Sequence, residues 1–295
     1  MELFQLAEGE ATVFDHINNC YFGMTKAEKR VADFVMSRRV EPKYMSISEL
    51  ALSCHVAEAT ISRFCRTLGL KGYNAFKLEL AKASVAAGGT VVNLDESTAE
   101  ITQEDDIRTM CQKLYAINAD ALKQTLSFVE EDKIRLAADL LFNADNIYCM
   151  GQGGSFVLAE EAYSLFLTIT PKVHSVCDSH LQILNASLMS ERDVILFFSY
   201  SGATKDLLEL EQVACARGAK IILISRFPMS PGAQSATMVL KCGSNESPLR
   251  SGSVAARMAQ LYVVDMLYTE LMRRSPETFS ANRQRTAQAL TCKLL

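Results

Sequence analysis

"VILFFSYSGATKDL", residues 194–207, is the stretch on which the fold is decided. Val194 to Phe198 form an apolar run of strand length with no polar alternation, the pattern of a strand covered on both faces. The run stops at Ser199, Ser201, Gly202 and Thr204, and a helical pattern begins at Lys205. Free amides at a helix start, the helix dipole and neighbouring hydroxyls together suit an oxyanion, and a glycine lets the backbone approach it. Neutral donation to a phosphate needs neither an acid nor a metal in this loop.

Short apolar runs of the same kind stand on either side: "NIYCMG" from Asn146, "KVHSV" from Lys172, "KIILIS" from Lys220 and "TMVLKC" from Thr237. Helical stretches separate them: "SFVLAEEAYSLFLTI", "SHLQILNASLM", "ATKDLLELEQVACARG" and, after the last, "SVAARMAQLYVVDMLYTELMRR". Strand and helix in alternation predict an α/β domain with a parallel sheet flanked by helices. Ligands of such sheets gather at the carboxyl ends of the strands. The loop "YCMGQGGSF" repeats the theme: Gly151, Gly153 and Gly154 end a run and Ser155 opens a helix. It lacks the spacing of a dinucleotide fingerprint and the lysine of a nucleotide-binding loop. Two such loops in one sheet are stronger evidence for phosphate binding than either alone.

The first third of the chain has another character. Residues 24–84 hold 11 Lys and Arg against six Asp and Glu, whereas the whole chain carries a net charge of −4. A basic block joined to an acidic body is expected when one part meets phosphates and the other does not. In "MTKAEKRVADFVMSRRV", Thr25 and Glu28 have the capping-box spacing ahead of Val31, Phe34 and Val35. "SISELALSCHVAEATISRFCRTLGLKGY" then reads as a helix-turn-helix, with Ile47, Leu50, Ala51, Ile61, Phe64 and Leu68 inward and Cys54-His55-Val56 at the turn. Pattern alone also allows a plain helical bundle with a solvated charged face.

In the helix-turn-helix reading, the start of the second helix enters the major groove of double-stranded operator DNA. Ser62 and Arg63 are the candidates for base edges, with Arg able to read guanine through two hydrogen bonds. Lys26, Lys29, Arg30, Arg66 and Lys71 suit backbone phosphates. Thr60 is either a groove residue or a small packing residue.

An all-α helix-turn-helix head over 1–84, a linker over 85–106 ("VAAGGTVVNLDESTAEITQEDD") and the α/β domain over 107–295 complete the expected organisation. The nine cysteines show no Cys-x-x-Cys pair and read as reduced thiols; no metal or cofactor is expected. No run has the length of a membrane span. "MELFQLAEGEATVF" is acidic where an export signal is basic, so a cytoplasmic location is expected.

"GQGGS" followed by "SYSGAT" resembles the two ligand loops of sugar isomerase (SIS) domains. "MTKAEKRVADFV", "SISELA" and "VAEATISRFCRTLGLKGYNAFK" ahead of them, and "RMAQLYVVDMLY" near the end, resemble RpiR-family transcription regulators. The resemblance implies a DNA-binding regulator, in most cases a repressor of a sugar-metabolism operon, that answers to a phosphosugar and works as a homodimer or dimer of dimers on a palindromic operator. It implies effector contacts at Gly153, Ser155, Ser199, Tyr200, Ser201, Gly202 and Thr204. Glu246 and Arg250, in "SNESPLRSGS", match a third loop near the sugar end, and His180 matches a position that contacts the sugar in some relatives; a capping or surface role is as open for His180. Ala256 departs from the pattern, which has serine before the arginine matched by Arg257. An aldose–ketose isomerase, with Glu246 as base and His180 opening the ring, is the enzymatic alternative; the attached head argues against it. A phosphosugar sensor whose helical head docks on another protein is a third reading.

Overall fold

The computed structural model describes residues 12–38, 42, 45–86, 101–228, 230–243 and 253–293. They divide into two compact units that part at Ala119/Asp120, within one helix.

The first unit is helical. After α1 (Val13–Cys20) and a single 3-10 turn (Tyr21–Gly23) come α2 (Lys26–Ser37), α3 (Ile47–Ser53), α4 (Glu58–Thr67) and α5 (Tyr73–Ala86). The Thr25–Glu28 capping box forms as read: the Thr25 hydroxyl accepts from the Glu28 amide, and the Glu28 carboxylate accepts from the Thr25 amide at 2.9 Å. Such a cap contributes about 1 kcal/mol. Glu28 also accepts from the Thr67 hydroxyl at 2.9 Å and so ties α2 to the end of α4. Ile17, Val31, Val35, Leu50, Ile61, Phe64, Phe76 and Leu80 are fully enclosed and form the core. Phe64 and Phe76 meet edge to face with ring centroids 5.5 Å apart. Between α3 and α4 the chain turns at His55, whose φ of +52° makes it the one left-handed residue other than glycine among those described.

α6 (Ile107–Ser127) begins in the first unit and ends in the second. The second unit continues with α7 (Glu131–Asn143), β1 (Asn146–Gly151), α8 (Gly154–Leu167), β2 (Val173–Ser175), α9 (Ser179–Leu188) and β3 (Asp193–Phe198). Then follow α10 (Lys205–Ala216), β4 (Lys220–Ser225), the short α11 (Pro231–Ser235), β5 (Met238–Lys241), α12 (Val254–Arg274) and α13 (Pro276–Thr291). The five strands are all parallel, in the order β2-β1-β3-β4-β5. β3 is buried at every position, as its unbroken apolar run requires. Ile195 and Phe197 pack with Leu207, Leu210 and Ala214 of α10, with Ala186 of α9 and with Ile221 and Leu223 of β4. α7, α8 and α12 form the other helical layer.

This strand order reverses direction between β1 and β3. The chain leaves β1 toward one edge and β3 toward the other, the arrangement in which open α/β sheets bind ligands at the strands' carboxyl ends. Gly151 and Phe198, the last residues of the two strands, are register partners. The two loops that the sequence singled out therefore leave the sheet side by side.

Candidate functional site

Residues 199–204 form a loop that is braced from below. The Ser199 amide donates to Ile224 O at 3.2 Å, and the Ser199 hydroxyl accepts from the Gly202 amide at 3.1 Å. Tyr200 O accepts from the Ser225 hydroxyl and from the Arg226 amide, both at 3.1 Å. Gly202 has φ +60°, and a Cβ built there would stand 2.1 Å from Ser230 Oγ and 3.1 Å from Ser225 Oγ. Both the backbone geometry and the crowding demand glycine. Gly202 O in turn accepts from the Gly232 amide at 2.9 Å.

The loop delivers the chain into α10 with Thr204 as its N-cap, yet no side chain caps the helix. Thr204 Oγ1 is enclosed and has no hydrogen-bond partner among the described residues. A buried hydroxyl left unsatisfied costs free energy, so an oxygen ligand that it could meet would recover that cost. Ser201 is half-buried, and its hydroxyl accepts from the Ala203 amide at 3.3 Å while its own proton remains available.

On the β1 side, Gly153 is the N-cap of α8 with φ +54°, again with no side-chain cap. The Ser155 amide is engaged with Gln152 O at 3.0 Å, but its hydroxyl makes no described hydrogen bond. Gln182, which sequence reading did not single out, organises this loop from inside. It is buried, its amide nitrogen donates to Val176 O at 2.7 Å and to Gly151 O at 3.2 Å, and its Oε1 accepts from Gln152 at 2.7 Å. Only its polarity on an otherwise mixed helix marks it in the sequence.

The structure thus brings Gly153, Ser155, Ser199, Ser201, Gly202 and Thr204 to neighbouring strand ends. Tyr200 requires a correction as a side-chain contact, because its ring is buried edge-on against Phe227, with centroids 5.8 Å apart. Its part in the loop is played by the carbonyl that Ser225 and Arg226 hold. Ser199 is likewise buried and braces the turn. His180 is exposed in the first turn of α9, and among the described residues no hydrogen bond or ion pair sets it against the loops. Glu246 and Arg250 lie outside the described residues.

In the first unit, Arg63 and Arg66 of α4 are exposed, as are Lys26, Arg30 and Lys71, and Ser62 is half-buried. Lys29 is held over the rings of Tyr21 and Phe22, at 5.3 and 5.7 Å from their centroids. Thr60 is 5% exposed, packed in the core that holds Ile61 and Phe64, and accepts a long bond from Arg63 Nη2 at 3.4 Å. Glu58, at the start of α4, accepts from Ser48 of α3.

A helix-turn-helix unit followed by a parallel α/β unit whose serine-bearing loops meet at the sheet's switch point defines a two-module protein of the DNA-binding class. Residues 11–87 match the helix-turn-helix domain of the rpiR family, and residues 140–270 match the SIS domain. An HTH-type transcriptional regulator of Caldanaerobacter subterraneus subsp. tengcongensis is 32% identical over 91% of this chain and 93% of its own length. The HTH-type transcriptional regulator HexR of Escherichia coli is 30% identical over 90% of each chain. The chain belongs to the RpiR family of HTH-type transcriptional regulators. In fold it is similar to the Vibrio vulnificus NanR protein, solved in complex with ManNAc-6P, with a TM-score of 0.61 at 23% identity over 96% of this chain and 100% of that one. No helix among the described residues is long and apolar enough to cross a membrane.

Proposed function

We propose that this regulator binds a phosphosugar in the crevice between the β1 and β3 loops and that occupancy changes its affinity for operator DNA. The observation that carries the reading is the pairing of Gly151 with Phe198, which sets two serine-bearing, uncapped helix starts at one switch point, with Thr204 Oγ1 enclosed and unpartnered there. Ser201, Thr204 and Ser155 donate to the phosphoryl oxygens, and Gly202 lets the backbone close on them. Arg63 and Ser62 read base edges, while Arg66, Lys71, Lys26, Lys29 and Arg30 hold phosphates of the duplex. The protein acts as a homodimer on a palindromic site and represses a sugar-metabolism operon; it is a binding protein and not an isomerase.

Ligand control follows only if the effector has different affinity for two arrangements of the protein. A thermal-shift screen of hexose, aminosugar and pentose phosphates tests the site. A phosphosugar should raise the melting temperature where the matching free sugar does not, because binding to the folded state stabilises it. No shift with any phosphosugar would refute the reading.

A further inference from the structure

The loops described so far are neutral, and a phosphoryl group is not. We propose that Arg257 is an effector-binding residue whose guanidinium meets an oxyanion of the ligand at the start of α8. The inference rests on the phosphosugar reading above and adds to it the charge that the hydroxyl loops lack.

Arg257 lies in the first turn of α12 and is half-buried. Its guanidinium rides on Gly154, the first residue of α8: a Cβ at Gly154 would stand 3.0 Å from Arg257 Nη2 and 3.7 Å from Cζ. A side chain at this position would push the guanidinium back by a few tenths of an ångström. No ion pair or side-chain hydrogen bond engages Arg257 among the described residues. The placement is electrostatically unfavourable as it stands. A helix start carries partial positive charge and favours anions, whereas cations belong at helix ends. The first turn of α8 contains no acid, and Gly153 brings no capping oxygen. A cation has been set against a positive pole, and no acid among the described residues pairs with it.

Two more buried polar groups have no hydrogen-bond partner among the described residues. Gln260, one turn further along α12, is 2% exposed with its Oε1 unpartnered. Thr204 Oγ1, on the neighbouring loop, is enclosed and unpartnered as well. A ligand oxyanion would accept from the guanidinium in the planar, two-bonded geometry that arginine offers to phosphate and carboxylate alike. Its source is either the phosphoryl group itself or a carboxylate on a phosphorylated sugar acid.

The test uses the full chain and four probes: inorganic phosphate, fructose 6-phosphate, N-acetylmannosamine 6-phosphate and gluconate 6-phosphate. Dissociation constants are measured for the wild type, Arg257→Gln, Gly154→Ala and Thr204→Val. Arg257→Gln should weaken the tightest-binding probe by about ten- to a hundredfold, the usual loss when a charged hydrogen-bonding partner is removed. A loss that extends to inorganic phosphate and fructose 6-phosphate assigns the phosphoryl group; a loss confined to gluconate 6-phosphate assigns a carboxylate. Should Arg257→Gln fail to fold, Gly154→Ala carries the test, since its methyl group pushes the guanidinium back by a few tenths of an ångström and should weaken the same probe. Wild-type affinity in the folded Arg257 variant, or in Gly154→Ala where that variant does not fold, overturns the inference. If Thr204→Val alone loses binding, the loop reading stands while Arg257 falls. If no probe binds the wild type, both fall.

Discussion

Replacing Gly202 by alanine probes the loop at its tightest point. The left-handed φ of +60° alone costs a side-chain-bearing residue about 1–2 kcal/mol. The new methyl group would also stand 2.1 Å from Ser230 Oγ and 2.8 Å from Ser230 Cβ, so α11 must move away from the loop. Overpacking of this kind costs about 1–3 kcal/mol. The total of about 2–5 kcal/mol corresponds to a fall of roughly 5–15 °C in the melting temperature of a unit of this size. Adding Ser230→Ala removes the nearest atom but also the hydroxyl that caps α11 by accepting from the Ala233 amide at 3.3 Å. The double variant should therefore recover only part of the loss. Calorimetry of the wild type, both single variants and the double variant measures the coupling. An unchanged melting temperature for Gly202→Ala, or strictly additive effects with Ser230→Ala, would refute this packing.

Three further predictions address other parts of the molecule. Glu211 on α10 is 1% exposed, neither carboxylate oxygen has a hydrogen-bond partner among the described residues, and burial pushes its carboxyl up to about 7. Because the folded form holds the proton more tightly than the unfolded chain, stability is greatest below about pH 4.5 for this group and declines as pH rises through 7, by about 3 kcal/mol in all. Glu211→Gln should flatten that decline in melting curves between pH 5 and 8; an unchanged slope would contradict it. In the head, Arg63→Ala should weaken operator binding by about 1–3 kcal/mol and relax base preference, whereas Thr60→Val should leave it within about threefold, because Thr60 faces the core. A larger loss at Thr60 than at Arg63 in anisotropy titrations would reverse the assignment. Lys71→Ala should lower the salt slope of binding by about 1 with little change in sequence preference, and an unchanged slope would remove Lys71 from the phosphate contacts.

Much of this architecture is written in local patterns. The run Val194–Phe198 and its four companions are apolar because both faces of the sheet are covered, and each became a strand of the parallel sheet. Thr25 and Glu28 declare the start of α2 because the reciprocal cap needs those residue types at that spacing. α13 escaped such reading for the opposite reason: of its sixteen residues only Phe279 is buried, so no apolar stripe marks it. The site divides in the same way. Ser199 to Thr204 are contiguous and legible as a loop, but which hydroxyls face inward depends on partners at Ser225 and Ser230, brought near by the β3–β4 pairing. Tyr200 looks like a ligand contact by position and is a packing residue because Phe227 faces it. The approach of Arg257 to Gly154 joins the starts of two helices far apart in sequence, and no spacing rule announces it.

The most direct test of the phosphosugar-controlled regulator is operator binding by the full chain, followed by anisotropy on a fragment from its own promoter region. It compares the wild type with a Ser201→Ala, Thr204→Val double variant, with and without the phosphosugar found by thermal shift. Coupling between sites typically amounts to about 5- to 150-fold in affinity. The wild type should change its operator affinity within that range when the phosphosugar is added, and the double variant should hold its ligand-free affinity throughout. A double variant that responds as the wild type does, or a wild type indifferent to the ligand it binds, would contradict the assignment of this loop as the sensor.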